Sequence, residues 1–290
     1  MPDVKHSQNI HKQRNQTSEL ESKIMMKRIL KRDRHKQLAV ASQEQRLEFI
    51  ANQIPEVNPN SPRLPVYLRP AFEQDVPGIA DIWNYYILNS NIPQEQTEIS
   101  CEDIKKLLQG CNTEKLPFIV VIKGTVPKNN RTKKGELVLG FAYADAYYGR
   151  NGSSKGRDRY TATLQVYVHQ NYLRKKLGTC LMDRILQSMS TCASRDGYDW
   201  INPKNDSVYF NMGGMGGRRY HQVLMERTFE LKEDPDFEWV KIWLKKFSFF
   251  DVGRLRSIAR SSCGSGPARF LDVVQFQLQA DDQANFPPIM

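Results

Sequence analysis

This chain is short of paired cysteine and of long apolar sequence, and each shortage removes a class of protein. Its 290 residues hold five cysteines, Cys101, Cys111, Cys180, Cys192 and Cys263. The count is odd and no pair has C-x-x-C spacing. Neither a disulfide framework nor a zinc site is therefore expected, and no metal is called for. Reduced thiols of an intracellular protein are the expectation. No apolar run approaches the roughly 18 residues a membrane-spanning helix needs, so no membrane partner is expected. The opening "MPDVKHSQNIHKQRNQTSEL" has no apolar h-region, which argues against a secretory signal. The expected location is the cytoplasm, with the nucleus as the alternative. No internal repeat is present.

What the chain does have is positive charge. Forty-two Lys and Arg against 32 Asp and Glu leave a net +10, with pI about 9.3. Such a balance favours anionic partners, among them nucleotides, phosphate-bearing cofactors, nucleic acid and acidic surfaces, without choosing between them.

Residues 1–62 are polar, charged and poor in aromatics, and read as a basic, flexible extension. Within it "KIMMKRILKRDRHK" is a candidate helix with Met25, Met26, Ile29 and Leu30 on one face. As a nuclear-import or nucleic-acid patch it is weak, since no aromatics interleave the cations. "NQIPEVNPNSPRLP" reads as a linker. From Val66 the texture changes. "VYLRPA" is a strand. Ile79, Ile82, Trp83, Tyr86 and Ile87 have helical spacing after Asp75, a plausible cap. In "SCEDIKKLLQG", Ser100 and Asp103 form a capping box and Gly110 is the expected stop. "PFIVVIKG" and "ELVLGFAYADAYY" read as a hairpin with a long basic tip. "YTATLQVYVH" is a fourth strand and "YDWIN" a fifth, with a helix from Leu177 to Cys192 between them. That helix carries the stripe Leu177, Leu181, Met182, Ile185, Leu186 and Met189. "GGMGG" (213–217) is turn-rich, "FEWVKIWLKKF" an amphipathic helix, and "FFDVGRLRSIAR" and "RFLDVVQFQLQA" two closing strands. The order predicts an α/β (α+β) domain whose mixed, mostly antiparallel sheet is flanked by helices.

The stretch "LQVYVHQNYLRKKLGTCLMDRIL" (164–186) places a basic loop between a strand and a helix. A helix N-terminus offers unpaired N–H groups and partial positive charge, so it suits an anion. Backbone amides from Arg174 to Thr179 are placed to converge on a pyrophosphate. Gly178 permits close approach, and Arg174, Lys175 and Lys176 add charge. Taken alone, such a loop is as readily a solvated corner.

Strand "VYVH" followed by "LRKKLGT" resembles the cofactor motif of the GNAT superfamily of acetyltransferases, [QR]-x-x-G-x-[GA]. Gly178 sits on the last position, while Leu173 and Lys176 depart from the first and from the usual first glycine. "LRPAFEQDVPGIADIWNYYILNS", "GFAYADAYYGR", "NDSVYF" and the "LDVV" ending resemble that superfamily's phosphinothricin-acetyltransferase-like branch, in a fungal-type form. The likeness runs from about Arg63 to Ala280. It implies a GNAT domain over 63–280 with an insert at about 211–246, and a tail over 281–290.

The resemblance implies acetyl-CoA as co-substrate, bound between splayed strands. Those strands would be Val166–Val168 and Trp200–Ile201. Val166, Tyr167 and Val168 would hold pantetheine, and Arg174, Lys175, Lys176, Leu177, Gly178 and Thr179 the pyrophosphate. Asn205 would sit at the cofactor side. The implied reaction is direct attack by the amine of a small molecule in a ternary complex. That needs no covalent enzyme intermediate, and no Ser/His/Asp or Cys/His spacing is present. It does need a base, because aliphatic amines are mostly protonated at pH 7. The branch's glutamate falls on Thr163 here. Asp145 and His221 are the substitute carboxylate and imidazole, and Tyr209 is the candidate acid for the thiolate. Trp83, Tyr147 and Tyr148 are candidates to line the acceptor pocket. The alternatives are a GNAT-fold CoA-binding or regulatory protein without turnover, and a nucleic-acid-associated protein using the basic arm. A homodimer is left open.

Overall fold

The computed structural model describes residues 58–128, 132, 135–147, 158–190, 195–210, 218–229, 235–261 and 269–281, with scattered residues between Met25 and Val40. The chain divides into two units, Met1–Val57 and Asn58–Met290. In the first, the described residues are helical, with Met25, Met26 and Leu30 exposed. The boundary corrects the expected one: Asn58–Pro62 goes with the second unit. Tyr148, Cys192, Cys263, the 213–217 glycines and all of the 281–290 tail but its first residue lie outside the described residues.

The second unit is built on one eight-stranded sheet. Its strands are β1 (Val66–Pro70), β2 (Phe118–Lys123), β3 (Val138–Ala146), β4 (Thr161–Val168), β5 (Asp199–Trp200), β6 (Gln222–Phe229), β7 (Phe250–Arg260) and β8 (Phe270–Gln279). They lie in the order β5-β1-β2-β3-β4-β6-β8-β7. All neighbours are antiparallel except β1 with β5 and β4 with β6. Among the described residues four α-helices complete it: α1 (Val76–Asn89), α2 (Cys101–Glu114), α3 (Leu177–Gln187) and α4 (Pro235–Lys245).

Alternation along β3 assigns the helices to faces. Phe141 and Tyr143 turn to α1, where Trp83 packs on both rings at 5.5 and 5.3 Å. Gly140 turns to α3. A Cβ there would lie 2.7 Å from Tyr167 O and 3.2 Å from Leu181 Cδ1, so only glycine fits between this strand, β4 and the helix. The α3 stripe is buried as expected, although the helix ends at Gln187 rather than Cys192.

The capping box at Ser100 forms, with Ser100 Oγ accepting from Asp103 N. Gly110 does not stop α2, which runs on to Glu114 and ends at Lys115 in the left-handed conformation, φ 56°. Asp75 precedes α1 but is not a side-chain cap. Its carboxylate instead takes two hydrogen bonds from the fully buried Arg69, at 2.6 and 2.7 Å, while Arg69 also reaches Glu136 at 2.8 Å. A buried guanidinium thus joins β1 to the start of α1, with its charge fully matched.

One part of the sequence reading is overturned. "YDWIN" does not flank β4. Its two-residue strand pairs with β1 at the opposite edge of the sheet, four strands from β4, or roughly 19 Å at about 4.8 Å per step. The strand beside β4 is β6, from inside the segment taken as an insert. Gln222–Phe229 is therefore a strand of the central sheet, with Pro235–Lys245 a helix after it, rather than parts of an insert.

Candidate active site

β4 and β6 run parallel and pair over three residues only: Thr161 with Gln222, Ala162 with Val223, Thr163 with Leu224. Beyond that they part. β4 continues to Val168 on β3, and β6 continues to Phe229 on β8. The result is a V-shaped opening in the middle of the sheet.

The β4 groups that face this opening follow from a single bond. Ala144 N–H donates to Pro117 O on the β2 side. Peptide groups alternate sides along a strand, so Tyr143 and Asp145 direct theirs to β4. Their partners Gln165 and Thr163, and Tyr167 opposite Phe141, are turned to β3. Leu164, Val166 and Val168 therefore present main-chain groups to the opening. Of the three expected pantetheine contacts, Val166 and Val168 are so placed. Tyr167 is corrected: its main chain is used by β3 and its ring is buried against Trp83 at 5.6 Å. The Val168 carbonyl already accepts from Tyr86 Oη at 2.6 Å, and burial pushes that phenol up to about 12.

At the wide end of the V lies the basic loop. Arg174 and Lys176 have φ of 58° and 64°, left-handed backbone in non-glycine residues. The α3 ladder starts with Cys180 N donating to Lys176 O, so the amides of Leu177, Gly178 and Thr179 form the helix's open first turn. Arg174 and Lys175 are exposed. The Lys176 ammonium is turned back onto the Pro59 carbonyl, and Arg63 N donates to Lys175 O at 3.1 Å. In this arrangement Lys176 braces the loop from behind. An added Cβ on Gly178 would meet Val168 Cγ2 at 3.6 Å and Trp243 at 3.9 Å, ordinary contacts. Gly178→Ala should therefore leave the melting temperature within about 1 °C. If a ligand lies against that amide, the same change weakens its binding several-fold in calorimetric titration with CoA.

Arg227, in β6, sits in no sequence motif that marks it as functional. Extending the pairing of Thr163 with Leu224 brings it level with Val166 across the opening. It is 8 % exposed and donates to Gln165 Oε1 at 2.9 Å and to Glu226 O at 3.3 Å. Burial lowers its pKa, and its neighbours Tyr167, Tyr143 and Tyr86 are phenols that burial keeps protonated. Among the described residues no carboxylate pairs with it. A buried cation flanked by phenols rather than an acid is a place for an anion. On the same face Glu95 accepts from Trp83 Nε1 at 3.3 Å; the α1–α2 loop that carries it has no motif to betray it.

The expected catalytic residues divide. Asp145 and Thr163 are brought together as direct cross-strand partners, with Thr163 Oγ1 3.5 Å from Asp145 O. Burial raises the Asp145 pKa, opposed by a hydrogen bond from Ala146 N at 2.7 Å. Tyr209 is not with them. It is buried, with its hydroxyl donating to Phe118 O at 2.9 Å and accepting from Phe118 N at 3.2 Å, and Trp200 packs on its ring. Both lone pair and proton are spent on β2, so it is a packing residue. Asn205 lies in the turn after β5, its N–H on Asn202 O, on the far side of the sheet from the V. His221 immediately precedes β6, with Nδ1 2.9 Å from Asp281 O. Trp83 is a core residue at 3 % exposure. Cys180 is buried, its thiol pushed up to about 12.

No family model matches the chain. Solved structures do. A putative acetyltransferase from Salmonella typhimurium, yncA, solved with its cofactor acetyl-CoA, superposes with TM-score 0.53 at 18 % identity, covering 78 % of this chain and 99 % of that one. A GNAT superfamily phosphinothricin acetyltransferase from Sinorhizobium meliloti, in complex with AcCoA, gives TM-score 0.52 at 15 % identity over 78 % and 94 %. This is the GNAT fold. Within GNAT proteins the sequence likeness is to phosphinothricin N-acetyltransferase of Streptomyces viridochromogenes, 29 % identical over 133 residues. That alignment takes in 44 % of this chain and 60 % of the relative's length. Among the described residues no helix is long and apolar enough to cross a membrane, and no cluster of potential metal ligands occurs.

Proposed function

We propose that the chain is an acetyl-CoA-dependent N-acetyltransferase acting on the amine of a small molecule, by direct attack within a ternary complex. The carrying observation is the parting of parallel β4 and β6 beside the basic loop and open first turn of α3. Val166 and Val168 offer main-chain groups to an extended pantetheine. Leu177, Gly178 and Thr179 amides, with Arg174 and Lys175, suit a pyrophosphate. When bound, acetyl-CoA supplies a thioester carbonyl activated for attack.

The chain's own task is to orient the amine and to take its proton as the N–C bond forms and the C–S bond breaks. Thr163 cannot accept a proton near neutral pH, and Asp145 beside it supplies the carboxylate, directly or through a water. Arg227 favours an acceptor that also carries an acidic group, which would be its missing counter-ion. A carboxylate for Asp145, an anion site at Arg227 and an open V together favour turnover over CoA binding alone.

Free CoA release should be followed by thiol assay across amines with and without a carboxylate or phosphonate. Turnover concentrated on the acidic amines is expected. Acetyl-CoA binding without CoA release on any amine would support the non-catalytic alternative instead. For an accepted amine, kcat/KM should fall on the acid side with a pKa displaced upward from ordinary aspartate, because protonated Asp145 accepts nothing. Asp145→Asn should remove that limb and lower kcat by about 10²–10⁴. An unchanged limb assigns the base elsewhere, with Glu95 the next candidate.

A further inference from the structure

α4 carries an aromatic pair beside the loop. Trp239 and Trp243, one turn apart, stack with ring centroids 6.0 Å apart and planes 6° from parallel. Trp243 is half-buried and anchored: its indole N–H donates to Thr179 Oγ1 at 3.3 Å, and Phe247 meets it edge-on at 5.5 Å. Trp239 is 55 % exposed. The helix does not need it for docking, because Phe237, Val240, Trp243 and Leu244 make its apolar contacts with the core. A tryptophan held flat in solvent by a second tryptophan leaves a large apolar face open, and this one is tied through Trp243 to the third residue of α3.

We propose that Trp239 is the stacking platform for the adenine ring of acetyl-CoA. This rests on the cofactor reading above, and it assigns the end of the cofactor which that reading leaves unplaced. Thr179 holds Trp243 at the amides proposed for the pyrophosphate, and Trp239 extends that surface by one ring, its centroid 6.0 Å from that of Trp243. An indole face suits a purine, since every base has a π-face and a tryptophan already stacked on its neighbour loses little freedom on binding. The exposed Arg174 and Lys175 add attraction for the phosphates without competing for the ring.

The test compares CoA with 4′-phosphopantetheine, which lacks the adenosine half, by calorimetric titration of wild type, Trp239→Ala and Trp239→Phe. Expected for Trp239→Ala is a loss of CoA affinity of about tenfold or more, the size of one base–aromatic stack. Its 4′-phosphopantetheine affinity and melting temperature should stay at wild-type values. Trp239→Phe should keep most of the CoA affinity, and wild-type tryptophan emission should be quenched by CoA but not by 4′-phosphopantetheine. Unchanged CoA affinity in Trp239→Ala overturns the platform, as does an equal loss for both ligands. A wild type that binds neither ligand overturns the cofactor reading, and the platform with it.

Discussion

Protein carrying Arg174→Glu together with Lys175→Glu is expected to lose most of the thermal stabilisation that acetyl-CoA gives the wild type. A ligand at a hundred times its Kd stabilises by about 2.7 kcal/mol, which for a domain of this size is roughly 5–10 °C. Both side chains are exposed at the mouth of the α3 first turn, and reversing them sets two negative charges where a pyrophosphate would lie. A hundredfold rise in Kd would leave about 0.4 kcal/mol at the same ligand concentration, near 1 °C. Neither side chain is part of the core, so the unliganded melting temperature should move little. Scanning calorimetry with and without acetyl-CoA checks this at low and high salt, the deficit shrinking as salt screens the reversed charges. An undiminished shift would remove the basic loop from the cofactor site.

Arg227→Met is expected to push stability and activity in opposite directions. The guanidinium is buried, with neutral partners, and methionine of similar reach removes its desolvation cost. The melting temperature should hold or rise, as when buried ions give way to well-packed apolar residues. Activity toward acidic amines should fall by at least about thirtyfold, since losing one side of a buried charge pair costs about 2–5 kcal/mol. The loss should fall mainly on KM, with amines lacking an acid group little affected. A lower melting temperature together with equal losses for both acceptor kinds would make Arg227 a structural residue. Arg227→Lys keeps the charge without the planar fork and should recover part of the acidic-amine activity.

Legibility in the sequence depended on whether local pattern and tertiary role agreed. β4, the loop and α3 were readable because alternation, turn and 3.6-residue stripe all fall within one stretch. β6 was not. Val223, Met225 and Phe229 alternate, but Arg227 interrupts them, and its charge is buried at the opening rather than set on a solvated face. "YDWIN" has the opposite fault, an apolar look attached to a two-residue strand whose partner was decided by β1. The role given to Tyr209 came from position in a motif, and its hydroxyl turned out to serve Phe118. Asp145 and Thr163 were each visible, yet their pairing is a matter of register between strands some 18 residues apart, which neither strand encodes alone.

The contacts from Asn58–Arg63 to the loop have an evolutionary corollary. Two left-handed residues of ordinary type cost roughly 1–2 kcal/mol each, and the Pro59 and Arg63 bonds to Lys176 and Lys175 help to hold that conformation. The shape of the turn proposed to bind the pyrophosphate is thus partly written in a segment more than a hundred positions upstream. If that turn holds the proposed cofactor, changes at the domain's first few residues would alter its affinity while every group that touches the ligand stays the same.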